Sequence, residues 1–179
     1  MTRRAFRIAI STLGLCTLAA CVVNIAIDMQ KNIAVQTQAG ITSIDQQQAI
    51  NLNDYPDYTA HKGNIKSLDL DSADVTVASV DPSNKATKVI SGSLKLRQNC
   101  TDSPANDIIV GTQLSNFSLA ANSTIKLPGS PELDTFLMNQ VNGAGTFCVI
   151  VDGSIDAAPV NVTLSVTLHA SLGYDTGLF

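Results

Sequence analysis

The chain has 179 residues, of which 45 % are apolar and only 4 % aromatic, with no Trp. This length suits one domain with its own core, and a core built mainly from Val, Ile, Leu and Ala favours strands. The formal charge is −4, and without Arg3, Arg4 and Arg7 it becomes −7, because 8 basic residues then face 15 acidic ones. An acidic body without a Lys/Arg cluster excludes nucleic-acid binding.

The first twenty residues have the layout of an export signal. A positive start, MTRRAFR, precedes thirteen mixed apolar residues, the last two of which, Ala19 and Ala20, are small. As a helix the apolar stretch would rise about 20 Å, which is short of the roughly 30 Å hydrocarbon core, so a permanent span is not expected. We therefore predict a signal peptide over 1–20 and a single domain over 21–179.

Residues 18–21 read LAAC, which matches the lipobox of bacterial lipoproteins at every position. The resemblance implies diacylglyceryl transfer to the Cys21 thiol, cleavage between Ala20 and Cys21, and acylation of the new amino group with a chain such as palmitate. It also implies outer-membrane delivery, because Val22 rather than Asp follows the lipidated residue. The alternative to lipidation is that Cys21 is an ordinary buried thiol. TRRAF resembles a twin-arginine signal except at Arg7, so the export route, general secretory or twin-arginine, stays open.

Strand signals begin directly after the lipobox. Apolar residues alternate with polar or small ones from Ile25 through Met29 and again at Ile33 and Val35, which predicts a strand with no long tether before it. Residues 40–63 are polar, with a Gln run and a DYPDY turn signal. We predict a loop there, with a short helix near 58–62.

From Ile65 to residue 127, short strands alternate with turn formers. The predicted strands are IKSLDL, DVTVASV, ATKVISGSLKLR, DIIVGT, LSNFSLA and STIKL, and VDPSNKAT is a hairpin or loop between two of them. Ile90, Leu94 and Leu96 are expected to share a face with Gly92. Regular short strands of this kind are typical of a sandwich or barrel.

One longer helix is predicted over 131–142. Ser130 is placed to cap it, Pro131 takes its first position, and Leu133, Phe136, Leu137 and Val141 form its apolar stripe. We expect this stripe to cover an open edge or end of the sandwich. The alternative is that the helix forms a lid over a pocket. VNVTLSVTLHASLG then alternates without a break, which predicts a strand with one buried and one solvated face.

These elements predict a mainly β protein, an antiparallel β-sandwich of about eight to ten strands with one short helix inserted before the last hairpin. This architecture is similar to the LEA-type-2-like domains of some bacterial lipoproteins, although no motif supports that resemblance and it transfers no residue roles.

Two groups of residues in the body carry candidate chemistry. Cys100 and Cys148 would be the two thiols left for one disulfide in an exported chain, the alternative being two separate buried cysteines. Asp69, Asp71 and Asp74 offer hard oxygen ligands and are a candidate calcium site, although the spacing is not that of a twelve-residue calcium loop. The alternative is that these carboxylates only keep a strand edge charged, which protects it from pairing with another chain.

No catalytic constellation is recognisable. Two His and one Glu offer few general bases, and there is no zinc-ligand spacing, phosphate loop or nucleophile elbow. We therefore expect a non-enzymatic envelope lipoprotein without a cofactor, held on the membrane by its lipid and binding an envelope protein partner. The alternative is a carrier of a lipid or small apolar ligand inside the sandwich.

Overall fold

A computed structural model describes residues 21–177, so the signal predicted over 1–20 lies outside the described residues. The strands are β1 (Val22–Gln36), β2 (Ser43–Asn51), β3 (Ile65–Val80), β4 (Val89–Arg97), β5 (Ile108–Gly111), β6 (Thr124–Pro128), β7 (Thr146–Ile155) and β8 (Asn161–Asp175). The helices are α1 (Pro56–His61) and α2 (Pro131–Val141), and short 3-10 turns occur at Leu52–Asp54 and Pro104–Asn106.

The strands form two four-stranded antiparallel sheets that pack face to face. Sheet A has the order β1-β8-β3-β6 and sheet B the order β2-β7-β4-β5. The first strand thus pairs with the last, the second with the seventh, the third with the sixth and the fourth with the fifth, which is the topology of an eight-stranded jelly roll. The predicted antiparallel sandwich is confirmed.

This topology gives the sandwich two distinct ends. The Cys21 end contains the start of β1, the end of β8 and the connections 52–64, 98–107 and 129–145, which include both helices. The distal end contains the connections 37–42, 81–88, 112–123 and 156–160.

The core follows the period-2 pattern of the sequence most closely in β1 and β8. Ile27, Met29, Ile33 and Val35 of β1 are buried, and the apolar row of β8 from Val162 to Leu172 is buried along its length. The polar row of β8 is only partly exposed, because β1 and β3 lie on either side of that strand.

The loop predicted over 40–63 is wrong in its first half. Residues 43–51 form β2, which pairs with β7 along its whole length. Only Ile44 and Ile50 anchor β2 in the core, and an edge strand with so few apolar residues has little period-2 signal. The short helix of this region is α1, at Pro56–His61.

Bulges account for two further differences. IKSLDL and DVTVASV form one strand, β3, whose register shifts between Leu70 and Ser72 and again near its end. In β4 a shift between Val89 and Ser91 turns Val89 inward and leaves Ile90 49 % exposed, so Ile90 does not share the buried face of its neighbours.

Two connections also differ from the prediction. LSNFSLA is a loop that makes only an isolated bridge between Lys88 and Ser118, and it is held by burial of Leu114, Phe117 and Leu119. The last two strands, β7 and β8, lie in different sheets, so the inserted helix precedes a crossover rather than a hairpin. VDPSNKAT likewise connects the two sheets.

Helix α2 closes an open strand edge. The Ser130 hydroxyl accepts a hydrogen bond from Leu133 N at 3.4 Å, as its capping position predicts. Leu133, Phe136 and Leu137 are buried, and Phe136 meets Phe147 edge to face. β6 pairs with only part of β3, and where that pairing stops Asp134 Oδ1 accepts the Leu70 N–H at 2.7 Å. Val141 is partly buried against the core, as its place in the predicted stripe requires, and Gln140 is buried as well.

Candidate anchor site and binding surfaces

Cys21 is the first residue that the structure describes, and it directly precedes the first strand. It is exposed, its thiol is not part of the disulfide, and β1 begins at the next residue. The Cys21 carbonyl accepts hydrogen bonds from Thr176 N at 3.4 Å and from Thr176 Oγ1 at 3.5 Å. The chain is therefore held to the sheet at Cys21 itself. Ala20, the other residue of the predicted cleavage site, lies outside the described residues.

The C-terminal end of β8 is joined to the segment that follows α1. Asp175 N donates to Asn64 O at 2.9 Å, and the rings of His61 and Tyr174 stack with their centroids 3.6 Å apart. Lys66 lies 4.0 Å from the Asp175 carboxylate. These contacts gather aromatic, basic and acidic side chains at the end of β8 that pairs with the start of β1. None of the helices within 21–177 is long and apolar enough to cross a membrane.

The predicted disulfide between Cys100 and Cys148 is confirmed, with the two Cα atoms 5.1 Å apart. It fastens the 98–107 connection to the outer face of β7. An ion pair also holds this connection in place. The largely buried Arg97 guanidinium binds both carboxylate oxygens of Asp107, through Nη2 at 3.0 Å and through Nε at 2.5 Å. The hydrogen bond to Asp107 raises the pKa of Arg97 above its ordinary value.

The three aspartates of the calcium hypothesis lie on β3 but have different neighbours. Asp71 Oδ2 accepts from Ser171 Oγ at 2.8 Å, Asp74 Oδ2 lies 3.3 Å from His169 Nε2, and Asp69 is exposed. In the part of the chain that the structure describes, no group of three acidic, His or Cys side chains is placed to hold a metal ion. Calcium at these residues stays a prediction.

His169 links three strands across the outer face of sheet A. Its Nδ1 lies 2.7 Å from Asp28 Oδ1 on β1, and its Nε2 faces Asp74 on β3. The hydrogen bond to Asp28, together with the charges of both aspartates, raises the pKa of His169 above its ordinary value in spite of partial desolvation. The alternation of VNVTLSVTLHASLG assigns His169 to the polar row of β8, but it does not predict this contact, which depends on the pairing of β1 with β8.

The distal end is a set of loops joined by hydrogen bonds. Asp156 Oδ1 accepts from Thr87 N at 2.9 Å and from Lys88 N at 3.1 Å, and the Thr87 hydroxyl binds its other oxygen. These bonds, with that of the Thr87 side chain the largest, lower the pKa of Asp156 to about 2. Lys85 N and Thr37 N donate to the 156–160 connection at 2.8 and 3.0 Å. The sequence predicted only a hairpin or loop at VDPSNKAT, which is one part of this end, and none of these hydrogen bonds.

The same end carries exposed apolar side chains and an open depression. Ile41 and Ile90 are each 49 % exposed, and Val80 is 37 % exposed. The depression, of about 380 Å³, lies where β3 ends and β8 begins, and Asp81 and Asn161 are among its lining residues. Hydrogen-bonded loops with exposed apolar side chains are typical of binding surfaces.

Comparison with known proteins gives no family for this chain. No protein-family profile and no curated protein matches it. Among solved structures it is similar to the decameric BFDV capsid protein, at 9 % identity and a TM-score of 0.43, covering 85 % of this chain and 99 % of that one. It is also similar to a chain of the Desmodium yellow mottle tymovirus, at 10 % identity and a TM-score of 0.35, covering 98 % and 94 %. Likenesses this low carry no conclusion about function.

Proposed function

We propose that this protein is a non-enzymatic lipoprotein of the bacterial envelope, anchored through acyl chains on Cys21 in the outer membrane and acting as a binding or assembly component. The observation that supports the anchor most is the exposed Cys21 thiol directly before β1, next to a sequence that resembles a lipobox. Several acyl chains on one residue are sufficient for firm anchoring.

The anchor is tested by metabolic labelling with a palmitate analogue. The wild type is expected to carry the label and to fractionate with membranes, and Cys21→Ser is expected to lose both. The variant C100A/C148A is the matched control, because it removes the other two cysteines of the domain and should keep the label. Labelling that persists in Cys21→Ser would contradict the proposal.

The proposed binding surface is the distal end. An anchor at Cys21 directs the opposite end of the sandwich away from the bilayer, and that end combines hydrogen-bonded loops with the exposed Ile41 and Ile90. Interface centres are enriched in apolar side chains held on well-ordered backbone, which this end provides. The proposed partner is therefore another envelope protein that contacts these loops.

Site-specific photo-crosslinking in intact cells tests this surface. A photoreactive residue at Ile41 or Ile90 is expected to give the same discrete adduct with one envelope protein. Ile109 on β5 is the matched control, since it is 54 % exposed but lies outside the distal end. A lipidated protein that gives no adduct at either distal position would contradict a binding role, and equal adducts at Ile109 would contradict the distal location.

The carrier alternative stays a prediction. The side chains expected to form a lid, Leu133, Phe136 and Leu137, are buried against the sandwich, and Asp134 is hydrogen-bonded to β3. Helix α2 covers a strand edge in the structure, which is the packing that its apolar stripe predicts.

A further inference from the structure

We propose that the Cys21 end of the sandwich rests on the bilayer surface, with Val22 and Val23 in the interfacial layer and the long axis of the domain standing away from the membrane. This inference rests on the proposed lipid anchor. It adds a second membrane contact, made by the folded domain itself, and assigns that contact to a phospholipid surface.

The first argument is that Cys21, the proposed anchor residue, directly precedes the first strand. The Cys21 carbonyl is hydrogen-bonded to Thr176, and Val22 already pairs with Asp175. Adjacent Cα atoms are about 3.8 Å apart, so acyl chains on the Cys21 sulfur bring the first residues of β1 to the headgroup region. A domain fixed this closely cannot remain at a distance from the lipid surface.

The second argument is the character of the side chains at this point. Val22 is 52 % exposed and Val23 38 % exposed, although they lie on opposite faces of β1, because the strand extends past the core at this end. Water contact with these apolar side chains is unfavourable, and insertion next to the acyl chains removes it. The lipid is thus the environment that covers both valines at once.

The neighbouring side chains also suit an interface between lipid and water. Tyr174 lies opposite Val23 in the sheet and stacks on His61, and Lys66 is near the Asp175 carboxylate. Tyrosine combines an apolar ring with a polar tip, and lysine an apolar stem with a charge, so both are common at the level of lipid headgroups. The acidic charge of the whole body favours a zwitterionic rather than an anionic surface.

The length of β1 separates the two ends clearly. Each step along the strand rises about 3.3 Å, so β1 spans about 46 Å from Val22 to Gln36. Ile41, in the loop after β1, therefore lies beyond the headgroups if the domain stands on its Cys21 end. A domain lying on its side would bring both Val22 and Ile41 near the lipid.

Tryptophan fluorescence tests the inference, because the chain contains no Trp of its own. The full lipidated protein is prepared as single variants V22W, V23W and I41W and reconstituted into phosphatidylcholine vesicles, with or without bromine on the acyl chains. V22W or V23W is expected to lose most of its emission in brominated vesicles and to resist iodide. I41W is expected to show the reverse. Two membrane-side variants are included so that a folding defect in one leaves the other informative.

The outcomes separate this inference from the anchor on which it rests. A palmitate-labelled protein that floats with vesicles, yet shows iodide quenching and no bromine quenching at both valine positions, overturns the surface contact and leaves the anchor intact. Bromine quenching of I41W as strong as that of V22W overturns the upright orientation. A protein without label that does not float overturns both proposals.

Discussion

Removal of the disulfide between Cys100 and Cys148 should lower the free energy of unfolding by about 4 kcal/mol. The bond joins residues 48 apart, and closing a loop of this length restricts the unfolded chain by about that amount in the chain-entropy model. For a domain of this size the loss corresponds to a fall in Tm of roughly 8–16 °C. The change is large compared with a total stability of about 5–15 kcal/mol.

Urea unfolding followed by circular dichroism measures this difference. The parent chain carries Cys21→Ser so that no third thiol can exchange, and C100A/C148A is made in that background. The m-value should rise as well, because an unfolded chain without the cross-link exposes more surface. Reductant should destabilise the parent and leave the double variant unchanged. A loss below about 1 kcal/mol would refute the reasoning, because it would mean that the unfolded chain gains little freedom when this loop is opened.

Three further predictions concern individual side chains. Asp107→Asn should cost about 3 kcal/mol in urea unfolding, because it leaves the Arg97 charge buried without a counter-charge, and a cost near zero would contradict this. The stability of the wild type should fall as pH rises past about 6.5 and through the higher folded pKa of His169, since protonated His169 binds Asp28, and Asp28→Asn should weaken this dependence. Ser130→Ala should cost about 1 kcal/mol through loss of the cap of α2, a change that thermal unfolding can detect.

The strands that the sequence predicted best are those whose burial follows from alternation alone. β8 lies in the middle of sheet A with one face in the core, so its apolar row is continuous, and β1 repeats the pattern beside it. β2 was missed because an edge strand can be stable with two core residues. Ile90 was misplaced because a bulge shifts the phase of the alternation, and no residue type marks that bulge in advance.

The candidate sites also differ in how far the sequence predicts them. The disulfide was predictable, because it depends on counting the thiols of an exported chain, whereas the lipidation of Cys21 stays a prediction. The contact between His169 and Asp28 was not predictable, because it joins residues 141 apart whose approach depends on the pairing of the first strand with the last. Asp156 was missed for the same reason, since the amides that it binds lie on a connection distant in sequence.

The jelly-roll topology explains why the two ends of the molecule can serve different purposes. Because the first and last strands pair, Cys21 and Thr176 lie at the same end, together with both helices of the described residues and the disulfide-bonded 98–107 connection. That end is held by covalent and buried ionic contacts. At the distal end, surface hydrogen bonds such as those of Asp156 join the 156–160 connection to the residues before β4. Substitutions there should therefore alter partner binding with little effect on the membrane-side contacts, so the two proposed functions can be tested independently.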